Sequence, residues 1–251
     1  MLKFLFGNGV EGDAKAPDGQ RIYAVGDVHG CARELDALMS AIVADAAKSN
    51  DGDGLTTQLV FLGDYVDRGP DSKGVIDRLI AIREEKPETV FLMGNHEEAF
   101  LKFIAAPELF AEWLHWGGAE TLSSYGVEGA WALEEQELQE MLMDALPRRH
   151  LAFLVDLEAQ RTLGDYFFVH AGVKPGVPLE EQKEKDMFWI REEFHQSAPE
   201  QRPDKTVVHG HHPVKKPEDH GWRINVDTGA CWSGKLTAVV LENGKRRFLT
   251  T

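Results

Sequence analysis

A mixed α/β fold is predicted by three features of this 251-residue chain. Short apolar runs alternate with helical periodicity through the first hundred residues. The middle is rich in helix formers, and the last hundred residues break into short strand-like runs separated by turns. Strand–loop–helix repetition implies βαβ units and an at least partly parallel sheet.

Residues 21–25 form an apolar run that stops at Gly26 and reads as a buried strand. The helix after it carries Leu35, Leu38, Met39, Ile42 and Val43 at helical spacing. The pattern recurs with a strand over 58–62 and a helix over 72–85, whose Val75, Ile76, Leu79 and Ile80 share a face. A third strand over 89–93 leads into a helix from Glu97 to Phe103. Residues 107–145 read as helical segments interrupted by glycines, an inserted cap or flank over about 105–146 and not a separate domain. Residues 157–162 and 166–170 read as a hairpin. Further strands are expected over 206–209, 223–226, 236–241 and 247–249, the last pair joined by the Asn243-Gly244 turn. The second half is therefore expected to be more antiparallel. The domain plan is a loose arm over 1–20 followed by a single domain over 21–251.

The apolar fraction of 43% and charged fraction of 27% are ordinary for a globular protein. A formal charge of −15 argues against a nucleic-acid binder, whose affinity comes from a basic surface. No apolar run approaches the ~20 residues that cross a bilayer, and the start lacks a secretory pattern, so the chain reads as cytoplasmic with no membrane partner. Two cysteines, Cys31 and Cys231, are too few for a disulfide framework and read as ordinary packed thiols.

The chemistry collects where strands end. The first strand runs into Gly26-Asp27-Val28-His29-Gly30, the second into Gly63-Asp64-Tyr65-Val66-Asp67-Arg68-Gly69, and the third into Gly94-Asn95-His96-Glu97. Later strands meet His170-Ala171-Gly172 and His209-Gly210-His211-His212. Loops at the carboxyl ends of strands are where open α/β sheets bind ligands. Asp27 and His29 are two positions apart, so on an extended segment both side chains face one cation. Asp, His and Asn donors suit Mn²⁺, Fe or Zn²⁺ better than Ca²⁺, and the lack of a thiolate argues against structural zinc. Any one such string is commonly a turn, whereas five of them closing successive strands point to a metal site.

Together these motifs, in this order and spacing from about Arg21 to Leu241, resemble the PPP family of metallophosphatases. That group comprises the serine/threonine protein phosphatases and their bacterial and phage relatives, within the calcineurin-like metallophosphoesterase superfamily. The resemblance implies a central β-sandwich of mixed sheets flanked by helices, with a dinuclear metal site at the sheet edge. Carried over, Asp27 and His29 would bind one metal, Asp64 would bridge both, and Asn95, His170 and His211 would complete the second site. His211 is preferred to His209 because the family's ligand follows the glycine. The cofactors expected are two divalent ions, Mn²⁺ first, with Fe or Zn²⁺ as alternatives.

Two such cations would acidify a shared water for in-line attack on phosphorus. His96 would act as general acid, with Asp67 orienting it. Arg68 and, by resemblance to bacterial members, Arg191 would clamp the phosphate beside Asn95; the bland reading of Arg191 is a salt bridge to Glu192 or Glu193. Residues 117–126 and the Asp227-Thr228-Gly229-Ala230 turn are expected near the site mouth. His115, His150, His195 and His220 read as exposed or packing residues, and Trp113 and Trp116 as a helix core.

The activity implied is a phosphoprotein phosphatase acting on phosphoserine or phosphothreonine, with phosphotyrosine also open; its partners are phosphorylated proteins or peptides. The alternative is a dinucleoside polyphosphate hydrolase of the diadenosine tetraphosphatase type, which residues 227–244 also resemble. A further alternative is a non-catalytic scaffold that recognises phosphorylated partners.

Overall fold

The structure, a computed structural model, describes residues 5–6, 10–49 and 54–251. Strands β1 (Leu5–Phe6), β2 (Val10–Glu11) and β3 (Gln20–Val25) precede helix α1 (Ala32–Ser49). Then come β4 (Thr56–Phe61), α2 (Ser72–Glu85), β5 (Val90–Phe91) and α3 (Asn95–Ala105). A helical stretch follows, containing α4 (Gly118–Ser124), α5 (Glu135–Ala145) and α6 (Arg148–Val155). The chain continues through β6 (Gln160–Leu163), β7 (Tyr166–Val169), α7 (Glu184–Trp189), α8 (Glu192–His195), β8 (Thr206–His209), β9 (Glu218–Asp219) and β10 (Arg223–Asn225). It closes with α9 (Ala230–Ser233), β11 (Thr237–Glu242) and β12 (Lys245–Thr250).

Two mixed sheets pack face to face. One has the order β1-β12-β11-β3-β4-β5 with β2 also on β12, and the other β6-β7-β8-β10-β9. Period-two alternation in the strands explains the layering. On β3, Tyr23 and Val25 enter a core with the helices, whereas Ile22 and Ala24 enter the core between the sheets. On β7, Tyr166 and Phe168 fill the inter-sheet core, and Phe167 and Val169 face outward onto a third core with Phe188 and Phe194. The result is helix, sheet, sheet, helix, which is the β-sandwich flanked by helices that was expected.

Helix α2 occupies the predicted residues 72–85, started by Asp71, whose carboxylate accepts from the Gly74 N–H at 2.9 Å. The second half is the more antiparallel, as expected, though not throughout. Its hairpins β6–β7 and β11–β12 are antiparallel as the turns require, but β7, β8 and β10 run parallel. The β7–β8 connection runs through α7 and α8 and the β8–β10 connection through β9, and such crossovers leave no local turn signal. Of the arm expected over 1–20, residues 1–4 and 7–9 lie outside the described residues. Leu5–Phe6 and Val10–Glu11 are not loose, because both pair antiparallel with β12.

Parallel β3, β4 and β5 in one sheet, and β7, β8 and β10 in the other, deliver their carboxyl-terminal loops to one end of the sandwich.

Candidate metal centre and substrate cleft

At that end the loops converge on buried side chains. The Asp64 carboxylate lies between two histidines, with Oδ2 3.4 Å from His29 Nε2 and Oδ1 3.3 Å from His170 Nε2. Asn95 Oδ1 is 3.0 Å from His170 Nε2 and 2.8 Å from His211 Nδ1. Asp27 joins them by accepting the His211 backbone N–H at 3.1 Å. The structure thus brings together all six residues expected as ligands. Two groups in it have the spacing of a metal site, His29–Asp64–His96 and Asp64–His170–His211, and Asp64 is common to both.

The donors fit divalent cations on further grounds. His29 Nδ1 donates to the Val66 carbonyl at 2.8 Å, which leaves its Nε2 lone pair facing the cage, and His170 Nδ1 donates to the Leu62 carbonyl at 2.9 Å, which turns its Nε2 to the same cage. Burial lowers the His29 imidazole, and burial together with His170 pushes His211 down to about 2; both therefore stay neutral, the form that ligates. The buried Nε2 of His211 has no hydrogen-bond partner within the protein. Burial opposes protonation of His170, but Asp64, Asp27 and Glu97 outweigh it and raise this group to about 9. Burial and Asp227 push the Asp27 carboxyl well above the ordinary range. Such mutually strained titrations are what a nearby dication would relieve.

The backbone is strained at the same place. Among the described residues, five of the six non-glycine residues with positive φ are His29 (43°), Asp64 (53°), Asp67 (72°), Arg68 (67°) and His211 (65°), and the sixth is the hairpin Asn243. Each costs on the order of 1–3 kcal/mol unless its surroundings hold it, and such strain gathers at functional sites. Two glycines are required by contact: a Cβ on Gly94 would sit 2.2 Å from Asp64 Oδ1, and one on Gly210 2.0 Å from Asp27 Oδ1.

Beside the cage, His96 Nδ1 donates to Asp67 Oδ2 at 2.6 Å. Burial works against the imidazolium, but Asp64 and Asp67 outweigh it and raise His96. Its Nε2 faces Arg68, whose Nη2 is 2.8 Å away, while Arg68 Nη1 is 2.6 Å from His29 Nε2. Arg68 and Arg191 line one cleft of about 750 Å³ with Asn95 and His96. Among the described residues Arg191 makes no ion pair with Glu192 or Glu193, contrary to its bland reading.

Sequence reasoning missed several contributors. Glu97 is fully buried and its carboxylate accepts backbone N–H groups from Asp64 (2.8 Å), Tyr65 (2.7 Å), Val66 (3.2 Å) and Gly94 (3.0 Å), tying the second loop to the start of α3. Its place three residues into the helix is the capping-box position, a signal the sequence did contain. Trp113 Nε1 (2.8 Å) and the Thr121 hydroxyl (2.7 Å) both donate to Asp67. The helical insertion therefore supplies the support of the His96–Asp67 pair. Trp113 is core, as expected, whereas Trp116 lines the cleft, as does His115. His150 is buried against Tyr125 and Asp77, His195 packs on His209 and His212, and His220 is at the surface, all as expected. His209 turns away from the cage onto Phe194, and His211 is the histidine of this loop that reaches the cage.

A buried cage of this composition, at the strand ends of a two-sheet sandwich, defines a metallophosphoesterase. Residues 20–241 match the calcineurin-like phosphoesterase family, and the chain belongs to it. It is 28% identical to the asymmetrical bis(5'-nucleosyl)-tetraphosphatase PrpE of Geobacillus thermodenitrificans over 231 residues, covering 86% of this chain and 88% of the relative. In fold it resembles the crystal structure of a protein assigned as a diadenosine tetraphosphatase (TM-score 0.63, 22% identity, covering 96% and 98% of the two chains). It also resembles a serine/threonine phosphatase of Saccharomyces cerevisiae (TM-score 0.54, 14% identity, covering 89% and 73%). These relatives carry the names of both activities considered from sequence, the dinucleoside tetraphosphatase and the protein phosphatase. No described helix is long and apolar enough to cross a membrane.

Proposed function

We propose that the chain hydrolyses dinucleoside polyphosphates, cutting asymmetrically to release two unequal nucleotides. The observation that carries this reading is the cleft in which Arg68 and Arg191 share a wall with Asn95 and His96. A monoester presents one phosphoryl group, whereas a polyphosphate chain presents several. Two guanidinium groups beside the cage can hold the phosphates flanking the one that reacts. Curated relatives named as asymmetrical tetraphosphatases support the same substrate class.

Asp27 and His29 would hold one divalent cation and Asn95, His170 and His211 a second, with Asp64 common to both groups. When bound, the cations supply Lewis acidity that lowers the pKa of water and offsets charge on the phosphoryl oxygens. Glu97 holds the Asp64 loop in place through its backbone contacts. Asp67 fixes the His96 ring through Nδ1, and Nε2, which accepts from Arg68 in this structure, would carry a proton to the leaving oxygen once Arg68 turns to the phosphate. Arg68 and Arg191 hold the neighbouring phosphates in line.

A second reading, phosphomonoester hydrolysis on phosphoproteins, is favoured by the His96–Asp67 pair. A serine alkoxide is a far stronger base than a departing nucleotide phosphate and has more need of an acid. The test is turnover of diadenosine tetraphosphate against a phosphoserine peptide with Mn²⁺ present, separating nucleotide products by chromatography. Release of ATP plus AMP, at least about tenfold more efficient than peptide dephosphorylation, is the expected result. Efficient peptide turnover with the dinucleotide intact would replace this reading with the second.

A further inference from the structure

Four of the chain's six tryptophans, Trp116, Trp131, Trp189 and Trp232, line the cleft outside the cage. Neither metal ligation nor phosphate clamping requires them. Packing does not account for Trp131 and Trp232, which are 64% and 65% exposed, whereas Trp189 also rests on the core beside α7. Trp113 shows the contrast: it is buried and serves the fold and Asp67. Clustered exposed indoles mark a binding surface. The negative face of an indole repels phosphate, so the ligand part that meets these rings is flat and unsaturated.

The arrangement follows the two clamps. The Arg68 guanidinium lies 5.1 Å from the centroid of a Trp232 ring. Arg191 follows Trp189 by two residues, and both reach the same cleft. Trp189 is fixed by donation from Nε1 to Glu98 at 2.6 Å, and Trp116 packs edge-on against it at 5.5 Å. The Trp131 ring lies 4.8 Å from that of His115. Each arginine thus has an indole for a neighbour.

We propose that these indoles are stacking platforms for the two nucleobases of the substrate: Trp232 takes the base beyond the Arg68 clamp, and the wall of Trp116, Trp131 and Trp189 takes the other. The inference rests on the proposed function and adds the residues that select nucleosides at both ends of the phosphate chain. Base–aromatic stacking is strong and tolerant of base identity, which suits a cleft with four indoles in its lining.

The test compares the full-length Mn²⁺-loaded enzyme with W232A and W131A, two largely exposed positions whose truncation spares the core; thermal unfolding confirms the fold. Michaelis constants are measured for diadenosine tetraphosphate and inhibition constants for inorganic tripolyphosphate, which carries phosphates and no base. KM is expected to rise at least about fivefold in each variant, the tripolyphosphate constant less than about twofold, and W232F and W131F to recover most of the loss. An unchanged KM, or equal rises in both constants, overturns the platforms and leaves the proposed function standing. A wild-type enzyme that does not cleave the dinucleotide removes the proposed function and the platforms with it.

Discussion

His96 Nδ1 and Asp67 Oδ2 stand 2.6 Å apart with both side chains buried, and Asp67 accepts further hydrogen bonds from Trp113 and Thr121. The carboxylate therefore has no freedom to turn away, and the imidazole it holds keeps Nε2 directed at the cleft. How much this pair matters depends on the leaving group.

His96→Asn removes the acid, and the cost scales with the basicity of the departing oxygen. An alkyl phosphate is expected to lose about 100-fold or more in kcat, and diadenosine tetraphosphate less than about tenfold, because a nucleotide phosphate leaves with little help. Parallel steady-state assays on the two substrates check this. Equal losses would remove His96 from the role of proton donor.

Thr121→Val deletes a hydroxyl that donates to Asp67 Oδ1 and accepts the Asp67 backbone N–H, leaving the buried Oδ1 without that donor while the N–H keeps Ser72 Oγ. Destabilisation of about 1–3 kcal/mol is expected in denaturant unfolding. Activity on alkyl phosphates should fall more than activity on the dinucleotide, since the damage passes through His96.

Glu97→Gln replaces a carboxylate that accepts four backbone N–H groups with an amide that can accept on one oxygen only. The loop bearing Asp64 loses part of its anchor. Thermal unfolding should show about 1–3 kcal/mol lost, and metal content after dialysis should drop relative to wild type.

Burial, with Cys231 nearby, pushes the Cys31 thiol up to about 12, and burial pushes Cys231 up to about 11. Both stay protonated at neutral pH, and the thiolate is the reactive form. Native protein at pH 7.5 is therefore expected to alkylate with iodoacetamide far more slowly than unfolded protein, as read by mass spectrometry, which fits packed thiols. Rapid native labelling would contradict the environment described.

Much of this molecule was legible in its sequence because the informative residues sit next to the signals that place them. Glycines closing apolar runs located Asp27, Asp64 and Asn95 at strand ends, and the spacing of Val75, Ile76, Leu79 and Ile80 located α2. What escaped depends on long-range contacts. Nothing local in residues 107–145 says that Trp113 and Thr121 reach back to Asp67, 46 and 54 positions away. The parallel pairing of β7, β8 and β10 was hidden for the same reason, since crossovers carry no turn signature. Exposed Trp131 and Trp232 gave no periodic pattern at all, and only the folded cleft brings them together.

The central claim is that Asp64 lies between two cations. Anomalous diffraction from crystals grown with Mn²⁺, recorded on both sides of the manganese edge, tests it directly. The account predicts two peaks about 3.5–4 Å apart with one Asp64 oxygen turned to each. One flanking His29 would be the first site, and the other would touch Asn95, His170 and His211. A single peak, or peaks that do not share Asp64, would contradict it.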